Sequence, residues 1–172
     1  MQQVIILNGP AGVGKTSVGK LLAKESENSV CISGDAIKDF IVRKTDTVKG
    51  RLGYKNGASL IRNYLDAGYK LVIFEYVFPS KKQIDYFFEE LKVDVPVFLY
   101  TLWAPLEVVK EREASRVERA SLGEQVTKCH QELATNLNDL GHIIHTDQLT
   151  LEEVVKTVLN ESSQKRTALN NA

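Results

Sequence analysis

The sequence predicts an α/β fold, with a five-stranded parallel sheet covered by helices on both faces. Five short apolar runs alternate with segments that have hydrophobic residues at helical spacing. This alternation favours a parallel sheet, because parallel neighbours are joined by crossover helices. The chain has 172 residues, 43% of them hydrophobic, which is enough for one domain with a sizeable core. We therefore expect one domain over residues 1–161 and a frayed polar tail over residues 162–172.

The first predicted strand leads into a glycine-rich segment. Residues 3–7 form a largely apolar run, and residues 17–24 have apolar positions at helical spacing. Between them, residues 9–16 read Gly-Pro-Ala-Gly-Val-Gly-Lys-Thr and match the phosphate-binding pattern G-x-x-x-x-G-K-[ST] at every fixed position. A turn that merely joined a strand to a helix would have no use for the Lys-Thr pair.

The residue types in this segment fit the binding of a nucleoside triphosphate. Glycines let the backbone curl so that several N–H groups and the start of a helix face one anion. Lys15 is expected to reach the β- and γ-phosphates, and the Thr16 hydroxyl to coordinate Mg²⁺. We therefore expect ATP and Mg²⁺ as cofactors. The predicted cofactor-binding residues here are Gly9, Ala11, Gly12, Val13, Gly14, Lys15, Thr16 and Ser17.

The second predicted strand, residues 29–33, ends at Gly34 and Asp35, and residues 36–42 read as a helix. Asp35 is thus expected at the carboxyl end of a strand, where open α/β sheets bind ligands. It could accept the proton of a substrate hydroxyl, or it could cap the following helix, because Asp is a favoured N-cap. A charged loop over residues 43–52 follows, and a helix is then predicted over residues 57–68.

The third predicted strand, residues 70–78, is the most apolar run in the chain and carries one charge near its end, Glu75. Nucleotide-binding proteins place a magnesium-binding acid at such a position. The alternative is a residue near the end of the strand that reaches solvent. A Ser-x-x-Gln pattern over residues 80–83 then predicts the start of a helix that continues to about residue 91.

The remaining elements are a strand within residues 93–103, a helix from Pro105, a helix over residues 121–140, a strand over residues 142–145 and a last helix capped by residues 150–153. The helix from Pro105 is rich in basic residues. Arg112 and Arg116 lie four residues apart, so one ligand could contact both. Interspersed glutamates leave a solvated ion-pair face as the alternative.

Composition argues against several partner classes. The formal net charge is zero, so we expect no nucleic-acid partner and no acidic membrane surface. No apolar run approaches the length of a membrane span, and the N-terminus carries no leader pattern, so we expect a cytoplasmic protein, monomeric or homodimeric. Cys31 and Cys129 are predicted to be reduced structural thiols, and the three histidines lack metal-ligand spacing.

This layout resembles the small P-loop kinases that phosphorylate metabolites, such as gluconate kinase, shikimate kinase, chloramphenicol phosphotransferase and adenylate kinase. The resemblance covers residues 3–160 and rests on the loop at residues 9–16, the Gly34-Asp35 pair and the Arg-x-x-x-Arg of residues 112–116. It implies a three-layer P-loop NTPase fold with strand order 2-3-1-4-5 and a lid at about residues 112–125. It also implies that Arg112 lies against adenine and that Arg116 contacts phosphates as a catalytic residue.

The activity that the resemblance implies is transfer of the γ-phosphate of ATP to a hydroxyl of a small metabolite, with Lys15, Asp35 and Arg116 as catalytic residues. A gluconate-like sugar acid is one possible acceptor, although residues 36–39 and 76–80 depart from the gluconate kinase pattern. The alternative is a nucleotide-binding switch or an ATPase without a small-molecule acceptor; no Asn-Lys-x-Asp guanine signature occurs. Lys38, Arg43 and Lys55 could bind an anionic acceptor. The roles of Arg119 and of the loop after Thr146 are left open.

Overall fold

The computed structural model describes residues 1–42, 51–115 and 123–170. These residues form one sheet of five parallel strands in the order β2-β3-β1-β4-β5, which confirms the predicted fold class and topology. The strands are β1 (Gln3–Asn8), β2 (Ser29–Ser33), β3 (Leu71–Glu75), β4 (Val97–Trp103) and β5 (His142–His145).

Seven helices in the described ranges cover the sheet. They are α1 (Lys15–Glu25), α2 (Gly34–Asp39), α3 (Leu52–Asp66), α4 (Lys81–Leu91), α5 (Leu106–Ala114), α6 (Glu124–Asn136) and α7 (Leu151–Asn170). A short 3-10 turn, Leu137–Asp139, joins α6 to the loop before β5. None of the helices in the described part of the chain has the length and apolar character that a membrane span requires.

The core lies on both faces of the sheet, because every residue of β1 is buried and successive side chains point to opposite sides. Val4 and Ile6 pack in a cluster with buried residues of α3 and α4. Ile5 and Leu7 pack in a second cluster with residues of α1 and α7. The continuous apolar run in the sequence is therefore the signature of a central strand.

The C-terminal helix is longer than expected. We predicted a frayed tail from about residue 162; in the structure α7 continues to Asn170, further than the sequence indicated. The buried stripe of α7 contains Val154, Val155 and Val158 and continues one turn further with Ser162, which is 1% exposed. The polar composition of this segment did not indicate a buried turn. A serine can nevertheless be buried in a helix when its hydroxyl bonds to the backbone, and Ser162 donates to the Leu159 carbonyl at 3.1 Å.

The start of α7 is a reciprocal capping box, as the sequence predicted. The Thr150 hydroxyl accepts the Glu153 N–H at 3.2 Å, and the Glu153 carboxylate accepts the Thr150 N–H at 2.8 Å. The hydrogen bonds from Thr150 lower the pKa of Glu153. The cap should therefore stabilise the fold above the ordinary Glu pKa and lose this contribution as the pH falls through the lowered value.

We expect Thr150→Ala to lower the Tm by about 2–4 °C, because it removes the side chain that caps α7. The matched control is Thr157→Ala in the same helix, where the hydroxyl only bonds back to the Glu153 carbonyl. Alanine favours helix there, so the Tm should stay the same or rise slightly. Equal Tm values for the two variants, measured by calorimetry, would contradict a stabilising cap.

Candidate active site

The phosphate-binding loop lies at the carboxyl edge of the sheet, between the end of β1 and the start of α1. Its three glycines all have positive φ: 140° at Gly9, 85° at Gly12 and 105° at Gly14. A Cβ at Gly9 would lie 2.4 Å from the Leu102 carbonyl oxygen, and one at Gly12 would lie 2.7 Å from the Val109 carbonyl oxygen. Backbone conformation and close packing thus both require glycine at Gly9 and Gly12.

Lys15 is 7% exposed and is folded over the loop that precedes it. Its ammonium donates to the carbonyls of Gly9 at 2.9 Å and Pro10 at 3.0 Å. The N-cap of α1 is Gly14, and neither a capping side chain nor an acidic residue occupies the first turn. A buried positive charge and the start of a helix therefore face the same loop, which favours an anion there.

Thr16 and Glu75 are in direct contact. The Thr16 hydroxyl donates to Glu75 Oε1 at 3.1 Å, and Glu75 is the last residue of β3, aligned with Leu7 of β1. Glu75 is 2% exposed, so the alternative of a residue that reaches solvent is wrong. A hydroxyl and a carboxylate beside a phosphate-binding loop are oxygen donors of the kind that Mg²⁺ prefers, so this pair fits the predicted ion.

The Cys31 thiol of β2 is not a reactive group at neutral pH. Burial, helped by the charge of Glu75, raises the pKa of the Cys31 thiol to about 12, so it stays protonated at neutral pH. Both cysteines are free, as expected. Within the described ranges, no cluster of three or more His, Cys, Asp or Glu side chains could hold a metal ion.

Asp35 lies in the first turn of α2, just beyond the end of β2. The residue before this helix, Ser33, is the N-cap, and it pairs with Glu75 across the β2–β3 ladder. The interpretation of Asp35 as the helix cap is therefore wrong, because α2 begins earlier than the sequence predicted. The Asp35 side chain is 57% exposed and accepts a hydrogen bond from Lys38 Nζ at 3.4 Å. A carboxylate thus faces solvent at the same sheet edge as Glu75.

In the sequence, Tyr76 was noted only as part of a segment that departs from the gluconate kinase pattern. In the structure, its ring packs directly against Gly34, the neighbour of Asp35. A Cβ added to Gly34 would lie 2.1 Å from Tyr76 Cδ2, so the ring occupies the space that a side chain would need. The Lys38 ammonium lies 4.5 Å from the centre of the same ring. Burial acts against the charge on Lys38, but interactions with Tyr76 and Asp35 outweigh it and raise the Lys38 pKa. No local sequence pattern predicts the packing of Tyr76 against Gly34.

Arg112 connects three parts of the site. Its guanidinium donates to the Thr146 hydroxyl at 2.9 Å and the Thr146 carbonyl at 2.8 Å, and more weakly to the Val13 carbonyl at 3.5 Å. The solvated-face alternative is therefore wrong for Arg112, although it describes Lys110, which pairs with Glu107 at 3.3 Å. The arginine and the loop after β5 border an apolar cavity of about 250 Å³. Its walls include Val13, Ser17, Val18, Leu149, Leu151 and Val154.

Several residues that we predicted for the site either form ion pairs elsewhere or lie outside the described residues. Arg43, Arg116 and Arg119 lie outside the described residues, and of the predicted lid, residues 112–125, only 112–115 and 123–125 are described. Lys55 lies 3.6 Å from Glu90 Oε1 and thereby links α3 to α4. Lys38, already paired with Asp35, is the other lysine that we considered for an anionic acceptor.

Another cavity, of about 360 Å³, is formed by residues that the sequence did not connect with one another. It lies between the start of α3 and the start of α4 and is lined by Arg51, Tyr54, Ser80, Lys82, Gln83 and Tyr86. These residues come from two segments well separated in the sequence, and Arg51 belonged to a stretch that we predicted to be a surface loop. Only the packing of α3 against α4 brings them together.

Comparison with known proteins identifies the family. A family model described as an AAA domain matches residues 4–136, which is most of the chain. The chain belongs to this family of P-loop proteins. No protein with a curated description matches it.

Solved structures share the fold at low identity. A tunicamycin resistance protein from Deinococcus radiodurans is 20% identical, with a TM-score of 0.71 over 94% of this chain and 95% of that one. A gluconokinase from Sinorhizobium meliloti 1021 is 20% identical, with a TM-score of 0.65 over 98% and 95%. A shikimate kinase from Acinetobacter baumannii is 19% identical, with a TM-score of 0.62 over 96% and 94%. The predicted resemblance to P-loop small-molecule kinases is thereby confirmed at the level of the fold.

Proposed function

We propose that this protein is an ATP- and Mg²⁺-dependent phosphotransferase that moves the γ-phosphate to a hydroxyl of a small cytoplasmic metabolite. The observation that carries the proposal is the contact of the Thr16 hydroxyl with the buried Glu75 carboxylate, next to Lys15 and the start of α1. A predicted metal-binding pair thus lies beside a predicted phosphate cradle. Asp35, at the neighbouring strand end, adds a carboxylate that could face an acceptor.

In this proposal, each residue has a defined task. The loop N–H groups and Lys15 bind the β- and γ-phosphates, Thr16 and Glu75 hold Mg²⁺, and Arg112 lies against the base. When bound, Mg²⁺ would neutralise the negative charge that develops on the phosphate oxygens. The cavity beside Arg112, with its apolar walls and arginine edge, is of a size to take a nucleobase. Arg116 is retained as a predicted phosphate contact.

Phosphoryl transfer then needs an acceptor oxygen in line with the γ-phosphorus. That oxygen forms a bond to phosphorus while the bond from phosphorus to the β–γ bridging oxygen breaks, which releases ADP. The hydroxyl proton passes to the Asp35 carboxylate and then to solvent. Because Asp35 is exposed and its ion pair with Lys38 is a surface contact, its carboxylate can still accept a hydrogen bond from an acceptor.

Relatives with the same fold favour an alcohol acceptor. Their descriptions include a gluconokinase, a shikimate kinase and a sugar kinase from Janibacter sp. HTCC2649, the last 21% identical with a TM-score of 0.64 over 93% of each chain. A gluconate-like sugar acid or another small alcohol is accordingly the proposed acceptor. A switch or an ATPase would bind the same nucleotide but would not need an acceptor.

The first test is nucleotide binding. Mg-ATP at a hundredfold excess over its Kd should stabilise the fold by about 2.7 kcal/mol. For a chain of this length, that corresponds to a rise in Tm of roughly 5–10 °C. Lys15→Ala should lose most of this shift, because it removes the buried cation of the loop.

The matched control for Lys15→Ala is Lys20→Ala, at an exposed position on the same helix. It should keep the wild-type shift. The proposed function fails if millimolar Mg-ATP leaves the wild-type Tm unchanged, or if both lysine variants respond like the wild type.

A further inference from the structure

We propose that the cavity between the starts of α3 and α4 binds the acceptor, and that this acceptor carries a carboxylate or phosphate group held by Arg51 and Lys82. The proposal rests on the proposed phosphotransferase function, because it names the chemical class of the acceptor. It assigns the anion-binding role to two residues that the sequence analysis did not consider.

The cavity is connected to the phosphate-binding loop through its aromatic wall. Tyr54 lines the cavity and stacks on Phe78, with ring centres 5.2 Å apart and an interplanar angle of 16°. The Phe78 N–H in turn donates to the side chain of Asn8 at 2.8 Å, and Asn8 directly precedes the loop. The volume of about 360 Å³ suits a small metabolite. An acceptor bound here would lie on the sheet edge that carries Glu75 and Asp35.

Among the described residues, the lining of the cavity carries two positively charged side chains and no acidic one. Arg51 lies 4.2 Å above the centre of the Tyr86 ring, and Lys82 lies in the first turn of α4. Across residues 1–42, 51–115 and 123–170, neither cation has a carboxylate within ion-pair distance. In a chain with zero formal net charge, two such cations in one cavity favour a negatively charged ligand.

The acids closest to these cations along α4 already contact other groups. Asp85 pairs with Lys81 at 2.6 Å. Glu90 pairs with Lys55 at 3.6 Å and also accepts the Tyr86 hydroxyl at 3.0 Å. These two acids of α4 are therefore already paired with other lysines, and Lys55, one of the lysines considered from the sequence, is occupied by Glu90. The negative charge of Glu132 in α6 also acts on Tyr54 in the cavity wall.

The start of α4 adds to the attraction for an anion. The Ser80 hydroxyl donates to Gln83 Oε1 at 2.9 Å and does not cap the helix, and the first turn contains no acidic residue. The first N–H groups of α4 therefore lack a capping side chain and add partial positive charge beside Lys82. Together with Arg51, they suit a carboxylate or phosphate, whose oxygens accept several hydrogen bonds at once.

The test compares neutral and anionic hydroxyl compounds of matched shape. D-gluconate and D-glucitol differ in one carboxylate, and glycerol 3-phosphate and glycerol differ in one phosphate. Each is titrated into the Mg-ADP complex, which cannot react, and binding is followed by NMR of labelled tyrosine rings, with Tyr54 and Tyr86 as reporters. At least one anionic member should bind roughly tenfold or more tightly than its neutral partner. The pair that shows the preference identifies carboxylate or phosphate as the group recognised.

Variants test which side chains bind the anionic group. Arg51→Gln and Lys82→Gln should each remove most of the preference for the anion, while Lys81→Gln, which removes the neighbouring cation already paired with Asp85, should keep it. All three positions are exposed, and unchanged melting checks that the variants fold. Equal binding of neutral and anionic probes, a preference that survives in Arg51→Gln and Lys82→Gln, or no ring perturbation by any probe would overturn the proposal.

Two separate measurements distinguish this inference from the proposed function. Absence of the Mg-ATP shift in the wild-type melting experiment would refute the phosphotransferase, whereas anion binding to the cavity is measured by NMR without turnover. Neutral compounds that stimulate ADP release as well as anionic ones would refute only the anionic class of the acceptor.

Discussion

Asp35→Asn is expected to lower acceptor-dependent turnover by about 10²–10⁴-fold, the usual span for loss of a general base. The substitution keeps the size of the side chain and removes its basic oxygen. Asp35 does not cap α2, and its contact with Lys38 is an exposed pair three residues apart, so the fold should lose little. Melting temperature and Mg-ATP binding should therefore stay close to wild type while turnover falls.

The control for this prediction is Lys38→Gln, which breaks the same ion pair but keeps the carboxylate. It should retain most of the turnover. If Asp35→Asn stays within a few-fold of wild type, Asp35 has no catalytic role; if Lys38→Gln is as slow as Asp35→Asn, the ion pair and not the base is what matters.

Glu75→Gln is expected to reduce kcat/KM by about 10²–10³-fold, comparable to the loss of one group that stabilises transition-state charge. The amide oxygen that this variant introduces can still accept a hydrogen bond from the Thr16 hydroxyl, so the packing of β3 against the loop should persist. What the variant removes is the negative charge that would hold Mg²⁺. The Mg²⁺ concentration needed for half-maximal stabilisation by ATP should rise roughly tenfold or more.

A second buried glutamate provides the control. Glu113 in α5 is as buried as Glu75, at 2% exposure, but does not lie at the end of β3. Whatever Glu113→Gln does to the melting temperature, its Mg²⁺ dependence should match wild type. An unchanged Mg²⁺ dependence in Glu75→Gln, with Glu113→Gln as the reference, would remove Glu75 from the metal site.

The sequence predicted the parts of this protein that depend on local patterns. Continuous apolar runs identified the strands because β1 and β3 are buried on both faces. The fixed spacing of the loop singled out Lys15 and Thr16, and a lone charge in an apolar run singled out Glu75. The structure brings Thr16 and Glu75 into contact, while their roles toward nucleotide and metal stay predictions. The strand order came from the resemblance and is confirmed. The placement of Arg112 against a base also came from the resemblance and stays a prediction, although its guanidinium does contact the loop and Thr146.

The features that the sequence missed depend on contacts between distant segments. Tyr76 packs against Gly34 because β2 and β3 are neighbours, and nothing near either residue encodes that contact. Arg51 and Lys82 line the same cavity only because α3 packs on α4. The lysines chosen from the sequence, Lys38 and Lys55, are instead held by Asp35 and Glu90. Charge alone in a sequence does not distinguish a paired cation from one that faces a cavity.

The central claim is that ATP is consumed only to phosphorylate another molecule. The most direct measurement is to incubate the protein with Mg-ATP and a panel of small hydroxyl compounds, neutral and anionic, and to quantify ADP, inorganic phosphate and phosphate monoester by ³¹P NMR. The account predicts that at least one compound accelerates ADP formation and that a monoester of that compound forms in equal amount. ADP formed at the same rate with and without every compound, accompanied only by inorganic phosphate, would contradict the claim and identify an ATPase.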